Sequence, residues 1–332
     1  MKVRWGLVGC GDVACRKVAP SFQQVPGAEL IAVTSRRHEH ADTLAKRFGI
    51  PRVYSSYRDL LRDDDIEAVY VATPPFLHHT MTLDAAAAGK HVLCEKPMAV
   101  SLEQCSEMIA VCKARNVRLM VAYYRHFWPQ FRALKRVIDE GHLGELVTAR
   151  TAVAGNLEKE SQSALQWKLA PALSGGGFLM DVGCHRIELL LYFLGDVTSV
   201  DALVDNGSHQ VDMRSSLQIR FRNSAFATGA FSWVSQTPID EFEVGGSRCR
   251  AWTHASGANR ILIQEGATTR NIEVEPDTST HAGLIEHMVE AIRTGRMPEV
   301  DGEAGMRVHQ VIAAAYRSAR EKRTVFVNEE KY

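Results

Sequence analysis

The sequence has no excess of either charge, with 39 Lys and Arg against 39 Asp and Glu. That balance makes no electrostatic case for nucleic acid or an anionic membrane surface as a partner. No apolar run approaches the roughly 18 residues that a bilayer crossing needs. The seven cysteines are odd in number and scattered, and no CxxC pair occurs, so neither a disulfide framework nor a structural zinc site is expected. Leu7-Val8-Gly9-Cys10 resembles a lipoprotein cleavage box, but Arg4 and only a few apolar residues precede it, too few for a signal segment. Internal repeats and low-complexity linkers are also missing. Together these absences predict a soluble cytoplasmic protein with no membrane and no nucleic-acid partner.

What is present is an ordinary globular composition, 45% hydrophobic and 23% charged, over 332 residues, a length that favours two domains. Short apolar stretches at 3–8, 29–34, 66–72, 91–94 and 118–122 alternate with helical patterns at 14–22, 41–48, 81–88 and 102–115. This alternation predicts βαβ units and a parallel sheet covered on both faces. Past residue 123 the texture changes. Helical patterns at 130–140 and 185–194 are followed by strand patterns at 217–221, 225–233, 242–244 and 261–263, then by amphipathic helices at 284–293 and 306–320. Strands in succession predict an α+β second domain with a large, open, mostly antiparallel sheet.

The first strand runs directly into Gly9-Cys10-Gly11-Asp12-Val13-Ala14, and a helix follows. In that context the glycines read as a dinucleotide fingerprint, whereas alone they would be an ordinary turn. Gly9 permits the tight turn, Gly11 lets the backbone approach a pyrophosphate, and Ala14 is small enough for close helix–strand packing. The expected fold is therefore α/β, an N-terminal Rossmann doubly wound parallel sheet over 1–122. The α+β domain takes 123–332, its last helices being candidates to pack back on the first domain. At the end of the second strand, Thr34-Ser35-Arg36-Arg37 stands where a NAD-preferring fold carries an acid, and none occurs before Glu39. A hydroxyl and two guanidinium groups suit a 2′-phosphate, so NADP(H) is the preferred cofactor and NAD(H) a possible one. The alternative is a solvated helix start.

Strand 91–94 ends in Glu95-Lys96-Pro97, which puts Lys96 at the carboxyl end of a parallel strand, where open α/β sheets hold ligands. A cation there would stabilise charge on a carbinol or carbonyl oxygen; otherwise Lys96 is a surface lysine. Asp181 and His185, four residues apart after Gly175-Gly176-Gly177, share a face if that segment is helical. They suit proton transfer near neutral pH, or else a helix cap and a core histidine. Cys184 reads as packing, and the adjacent pair His78-His79 points in different directions, so no metal is expected.

These marks are joined by Ala72-Thr73-Pro74 with His78, Ala88-Gly89-Lys90-His91-Val92 before Glu95-Lys96-Pro97, and Asp181-Val182-Gly183-Cys184-His185. Over nearly its full length the chain resembles the glucose–fructose oxidoreductase, inositol dehydrogenase and MocA family. The resemblance implies that Lys96, Asp181 and His185 form a catalytic set. His185 would be the general acid/base, joined by Lys96 in giving the proton to a carbonyl oxygen, and Asp181 would orient the substrate or the histidine. It also implies cofactor contacts from Thr73, Pro74, His78, Glu95 and Lys96. Tyr123, followed by Tyr124-Arg125, replaces a common Asn, and Trp167-Lys168 replaces a common Trp-Arg. Both places touch the cofactor or line the substrate pocket in the family. The activity implied is NADP(H)-dependent hydride transfer to or from a small sugar, polyol or cyclitol. A NAD-dependent inositol-like or trans-dihydrodiol dehydrogenase is the variant. A non-catalytic dinucleotide-binding regulator is the rival, disfavoured because all three catalytic residues are present. A homodimer or homotetramer through the open sheet face is implied as well.

Overall fold

A computed structural model describes residues 2–254, 259–276 and 279–327. The chain divides into two compact units, Met1–Tyr124 with Asp277–Met306, and Arg125–Pro276 with Arg307–Tyr332. The change of unit thus falls two residues later than the expected border, and a late stretch belongs with the first unit.

In the first unit, β1 (Val3–Val8), β2 (Ala28–Thr34), β3 (Arg52–Tyr54), β4 (Ala68–Val71), β5 (His91–Cys94) and β6 (Leu119–Val121) form one sheet in the order β3-β2-β1-β4-β5-β6. Every neighbouring pair is parallel. All four residues of β4 and five of the six in β1 are buried, as a sheet covered on both faces requires. Trp5 packs edge-on against Phe22, and Phe22 against Tyr70. Helices α1 (Ala19–Phe22), α2 (His38–Phe48), α3 (Tyr57–Leu61), α4 (His78–Ala87) and α5 (Leu102–Ala114) supply the connections. The sequence patterns missed β3 and α3, which are too short to show a period. Before α1 the chain makes a wide π-turn over Ala14–Val18. Pro20 favours it: a proline has no N–H for the carbonyl four residues earlier, that of Arg16, and its ring crowds that carbonyl. The order reverses between β1 and β4, the switch point beside which such sheets bind their ligands.

The second unit opens with α6 (Pro129–Asp139) and then β7 (Leu146–Asn156), a strand that the expected pattern lacked. Its Thr, Ala and Arg content hides the alternation. Helices α7 (Gln162–Lys168), α8 (Pro171–Ser174) and α9 (Cys184–Leu194) follow. Then come β8 (Val197–Asp205), β9 (Arg214–Phe221), β10 (Phe226–Ser232), β11 (Val234–Gly246), β12 (Arg250–His254), β13 (Arg260–Glu265) and β14 (Thr268–Glu273). With the short β15 (Val325–Phe326) they order as β14-β13-β12-β11-β7-β10-β9-β8-β15. Only β7 and β10 pair in parallel. Burial in β9 alternates residue by residue, so one face is packed and the other open. On the packed face Phe131 of α6 and Phe193 of α9 meet Phe242 of β11, with ring centroids 5.8 and 5.4 Å away. Two late helices, α10 (Ala282–Thr294) and α11 (Gly302–Glu321), complete the fold, the change of unit falling within α11. Among the described residues no helix is long and apolar enough to cross a membrane.

Candidate active site

The fingerprint sits at the sheet's reversal point. Gly9 has φ +107°, and a Cβ there would lie 2.5 Å from the Ala72 carbonyl oxygen at the end of β4. Only glycine lets the two strand ends come that close. Gly11 differs, since a Cβ there would meet nothing within 4 Å. The open space beside Gly11 is what a pyrophosphate against the backbone needs. Ala14 is fully buried and Val13 exposed, while Asp12 pairs with Arg16 on the surface. Cys10 is buried, its thiol directed at the Thr34 carbonyl, and burial with Cys15 nearby pushes it up to about 12. It is an inert packing residue.

At the end of β2, Thr34 is buried, Ser35 half-buried, and Arg36 and Arg37 are exposed. Among the described residues neither guanidinium has an ion-pair partner. An NAD(P) cofactor fits this site, where Gly11 leaves open space for a pyrophosphate and the end of β2 carries a hydroxyl and two guanidinium groups.

Three expected cofactor contacts look inward instead. His78 has no exposed surface. Its Nδ1 lies 2.9 Å from the Pro97 carbonyl oxygen and its Nε2 2.7 Å from that of Thr73, so the ring ties the loop after β4 to the Glu-Lys-Pro turn. Burial lowers its pKa below the usual imidazole range despite those carbonyls. Tyr123 is fully buried. Glu95 is buried too: Tyr70 donates its hydroxyl to Oε1 at 2.8 Å, the Lys96 N–H donates to Oε2 at 3.2 Å, and His281 Nε2 stands 3.6 Å from Oε1. Burial alone would raise the Glu95 carboxyl, but His281, Lys96 and Tyr70 outweigh it and hold it below the ordinary range. His78 and Glu95 thus bond to the backbone of the turn at Pro97 and Lys96. Lys96 is half-buried at the end of β5, joined to Pro97 by a cis peptide bond. Thr73 and Pro74 are half-buried at the end of β4.

His281 was invisible to sequence reasoning. It lies nearly two hundred residues beyond Glu95, stacked on Tyr124 at 4.6 Å, and no local pattern marks it.

In the second unit, a π-turn over Leu179–Gly183 carries Asp181 and leads into α9, which carries His185. A wide turn of this kind keeps residues four apart on one side. Asp181 Oδ2 pairs with Lys168 Nζ at 2.8 Å, and the same amine pairs with Glu160 at 2.9 Å. The amine also lies 5.6 Å from both the Trp167 and Trp233 rings. Burial works against the Lys168 charge, but the two carboxylates outweigh it and raise its pKa. Lys168, expected at the cofactor, thus has its amine on Asp181. Arg125, also expected there, pairs with Asp240 at 3.2 Å and lies over Trp128. His185 is buried beside Arg186, whose guanidinium also pairs with Asp240. The Cys184 thiol is directed at the Asp181 carbonyl and packs.

Two family models match the chain. One, described as an oxidoreductase family with an NAD-binding Rossmann fold, covers residues 3–123, and the GFO/IDH/MocA C-terminal domain covers 131–251. The chain is 30% identical to a D-xylose 1-dehydrogenase (NADP(+)) of Haloferax volcanii, over 95% of this chain and 97% of that one. It is 34% identical to a trans-1,2-dihydrobenzene-1,2-diol dehydrogenase of Mus musculus, over 80% and 79%. A crystal structure of an aldose-aldose oxidoreductase from Caulobacter crescentus, complexed with glycerol, superposes with a TM-score of 0.90 at 30% identity, over 98% of this chain and 100% of that one. Both units match in the family's own order, and the chain belongs to the GFO/IDH/MocA oxidoreductases, as an NAD(P)-dependent enzyme.

Proposed function

We propose that the enzyme is NADP(H)-dependent and interconverts a carbinol and a carbonyl on a sugar, polyol or cyclitol. The observation that carries the cofactor preference is the pair Arg36 and Arg37, exposed at the end of β2 without a carboxylate partner. The bound nicotinamide supplies or accepts the hydride. Lys96 stabilises charge on the substrate oxygen. His185 gives or takes the proton at that oxygen. Asp181, held by Lys168, orients the substrate or the histidine. The substrate class is supported by the likeness to the xylose, dihydrodiol and aldose oxidoreductases named above.

Initial rates with NADPH and NADH over a panel of ketoses, aldoses, anhydro sugars, inositols and aromatic dihydrodiols test this reading. NADP(H) should be preferred, and Arg36→Asp should reverse the preference. Equal use of both cofactors by the unaltered enzyme sinks it. A purified protein that binds NADPH but whose turnover Lys96→Ala leaves unchanged would instead be a regulator.

The chain assembles into a homodimer or homotetramer through the open face of the nine-stranded sheet, where Leu203 is 77% and Phe226 50% exposed. Such apolar groups in an uncovered sheet face favour a partner. Light scattering of Leu203→Arg should show a smaller species than the parent, and an unaltered mass argues against this face.

A further inference from the structure

The turn that delivers Asp181 and His185 is held from a distance by a carboxylate and a phenol that no local motif contains. Asp212, buried just before β9, accepts the Gly177 N–H on Oδ1 at 2.7 Å and the Leu179 N–H on Oδ2 at 2.8 Å. Its own carbonyl accepts the Phe178 N–H at 3.0 Å. Tyr316, from α11, donates its hydroxyl to Asp212 Oδ1 at 2.5 Å. Burial, then the Asp212 carboxylate, push the Tyr316 phenol well above its usual range, so it stays a donor.

The glycines fit around this pair. A Cβ on Gly176 would lie 2.3 Å from the Tyr316 hydroxyl, and one on Gly177 would lie 2.1 Å from the Asp212 carbonyl oxygen. Gly175 has φ +77° where it ends α8. The triple glycine is thus shaped for two different tasks: one glycine turns the chain, and two let it press on Asp212 and Tyr316. A carboxylate accepting N–H groups at the start of a helical segment also satisfies donors that the segment cannot pair internally. Here that segment carries Asp181 two residues after the second captured amide and His185 one turn further.

We infer that Asp212 and Tyr316 are positioning residues that set the direction of the Asp181–His185 segment and act on turnover through His185. This rests on the reading of Asp181 and His185 as catalytic groups. Misplacing a catalytic group by about an ångström can cost up to roughly 100-fold in rate.

The test combines amide hydrogen exchange with a double-mutant cycle, using NADPH and the fastest carbonyl substrate of the panel. Tyr316→Phe keeps the ring and removes one donor, and it stands as the test even where Asp212→Asn does not fold. Exchange at the Gly177 and Leu179 amides should accelerate, kcat should fall by roughly 10-fold, and NADPH affinity should not change. In a His185→Asn background, Tyr316→Phe should add little further loss. Unchanged exchange in Tyr316→Phe overturns the anchor. A full, additive loss in the His185→Asn background overturns action through His185. An unaltered kcat in His185→Asn alone overturns the catalytic reading beneath both.

Discussion

The two units use different means to hold the side chains proposed to react. In the first, Lys96 stands directly after β5 in a fully parallel sheet whose central strands are buried. In the second, Asp181 and His185 stand on a wide turn and the helix it opens, beside a sheet with one open face. There the aim comes from long-range clamps. Yet each unit uses a buried carboxylate hydrogen-bonded to a tyrosine: Glu95 with Tyr70 behind Lys96, and Asp212 with Tyr316 behind the glycine turn. Glu95 accepts the Lys96 backbone N–H, and Asp212 accepts those of Gly177 and Leu179. The difference teaches that a residue directly after a buried parallel strand takes its acceptor from its own neighbour, Glu95, whereas the glycine turn takes its acceptor from Asp212, 33 and 35 residues away.

The largest effect expected is on chemistry. Lys96→Met should lower kcat by about 100- to 1,000-fold, the loss typical of one charge-stabilising donor, with NADPH affinity measured by fluorescence nearly unaltered. A strong loss of affinity instead would make Lys96 a binding residue and weaken the comparison. Next come two glycines of opposite kind. Gly177→Ala drives a Cβ into the Asp212 backbone and should cost about 1–3 kcal/mol in urea unfolding. Gly11→Ala meets nothing and should leave stability alone while weakening NADPH binding roughly 10-fold. If Gly11→Ala also destabilises the fold, the open space beside it has another purpose.

Lys168→Met should be milder. It leaves Asp181 and Glu160 without their shared cation, at about 1–2 kcal/mol for a largely buried charged hydrogen bond. Calorimetry should show a lowered Tm in the second unit's transition, and kcat should fall while NADPH affinity is retained.

The smallest effect is pH-dependent. His78 has a folded pKa below the unfolded value of about 6.5, so between those values the unfolded state binds more protons. Its contribution to stability is complete above pH ~6.5 and is lost as pH falls through that window. Urea midpoints between pH 7.5 and 5.5 should therefore fall less in His78→Gln than in the parent. An equal fall would mean that another group titrates there.

Much of the first unit was legible because its determinants are local. The strand–glycine–helix order, the Thr34-Ser35-Arg36-Arg37 terminus and Lys96 after β5 are contiguous patterns with fixed periods. What misled was the facing of side chains: His78, Glu95 and Tyr123 lie beside the expected ligand elements in sequence but turn inward. In the second unit β7 escaped notice because Thr, Ala and Arg blur its alternation, and Lys168 and Arg125 found carboxylates on other segments.

By itself, then, the sequence determined the dinucleotide fold, the family, the glycine turns and the residues able to carry proton and charge. Period, spacing and residue chemistry are written along the chain. Only the tertiary structure decided which polar partners stand behind them: His281 beside Glu95, Lys168 on Asp181, and Asp212 with Tyr316 on the triple glycine. A buried polar group must find a partner wherever packing brings one, and the packing of separate segments, 13 residues apart for Lys168 and Asp181 and 104 for Asp212 and Tyr316, leaves no local trace.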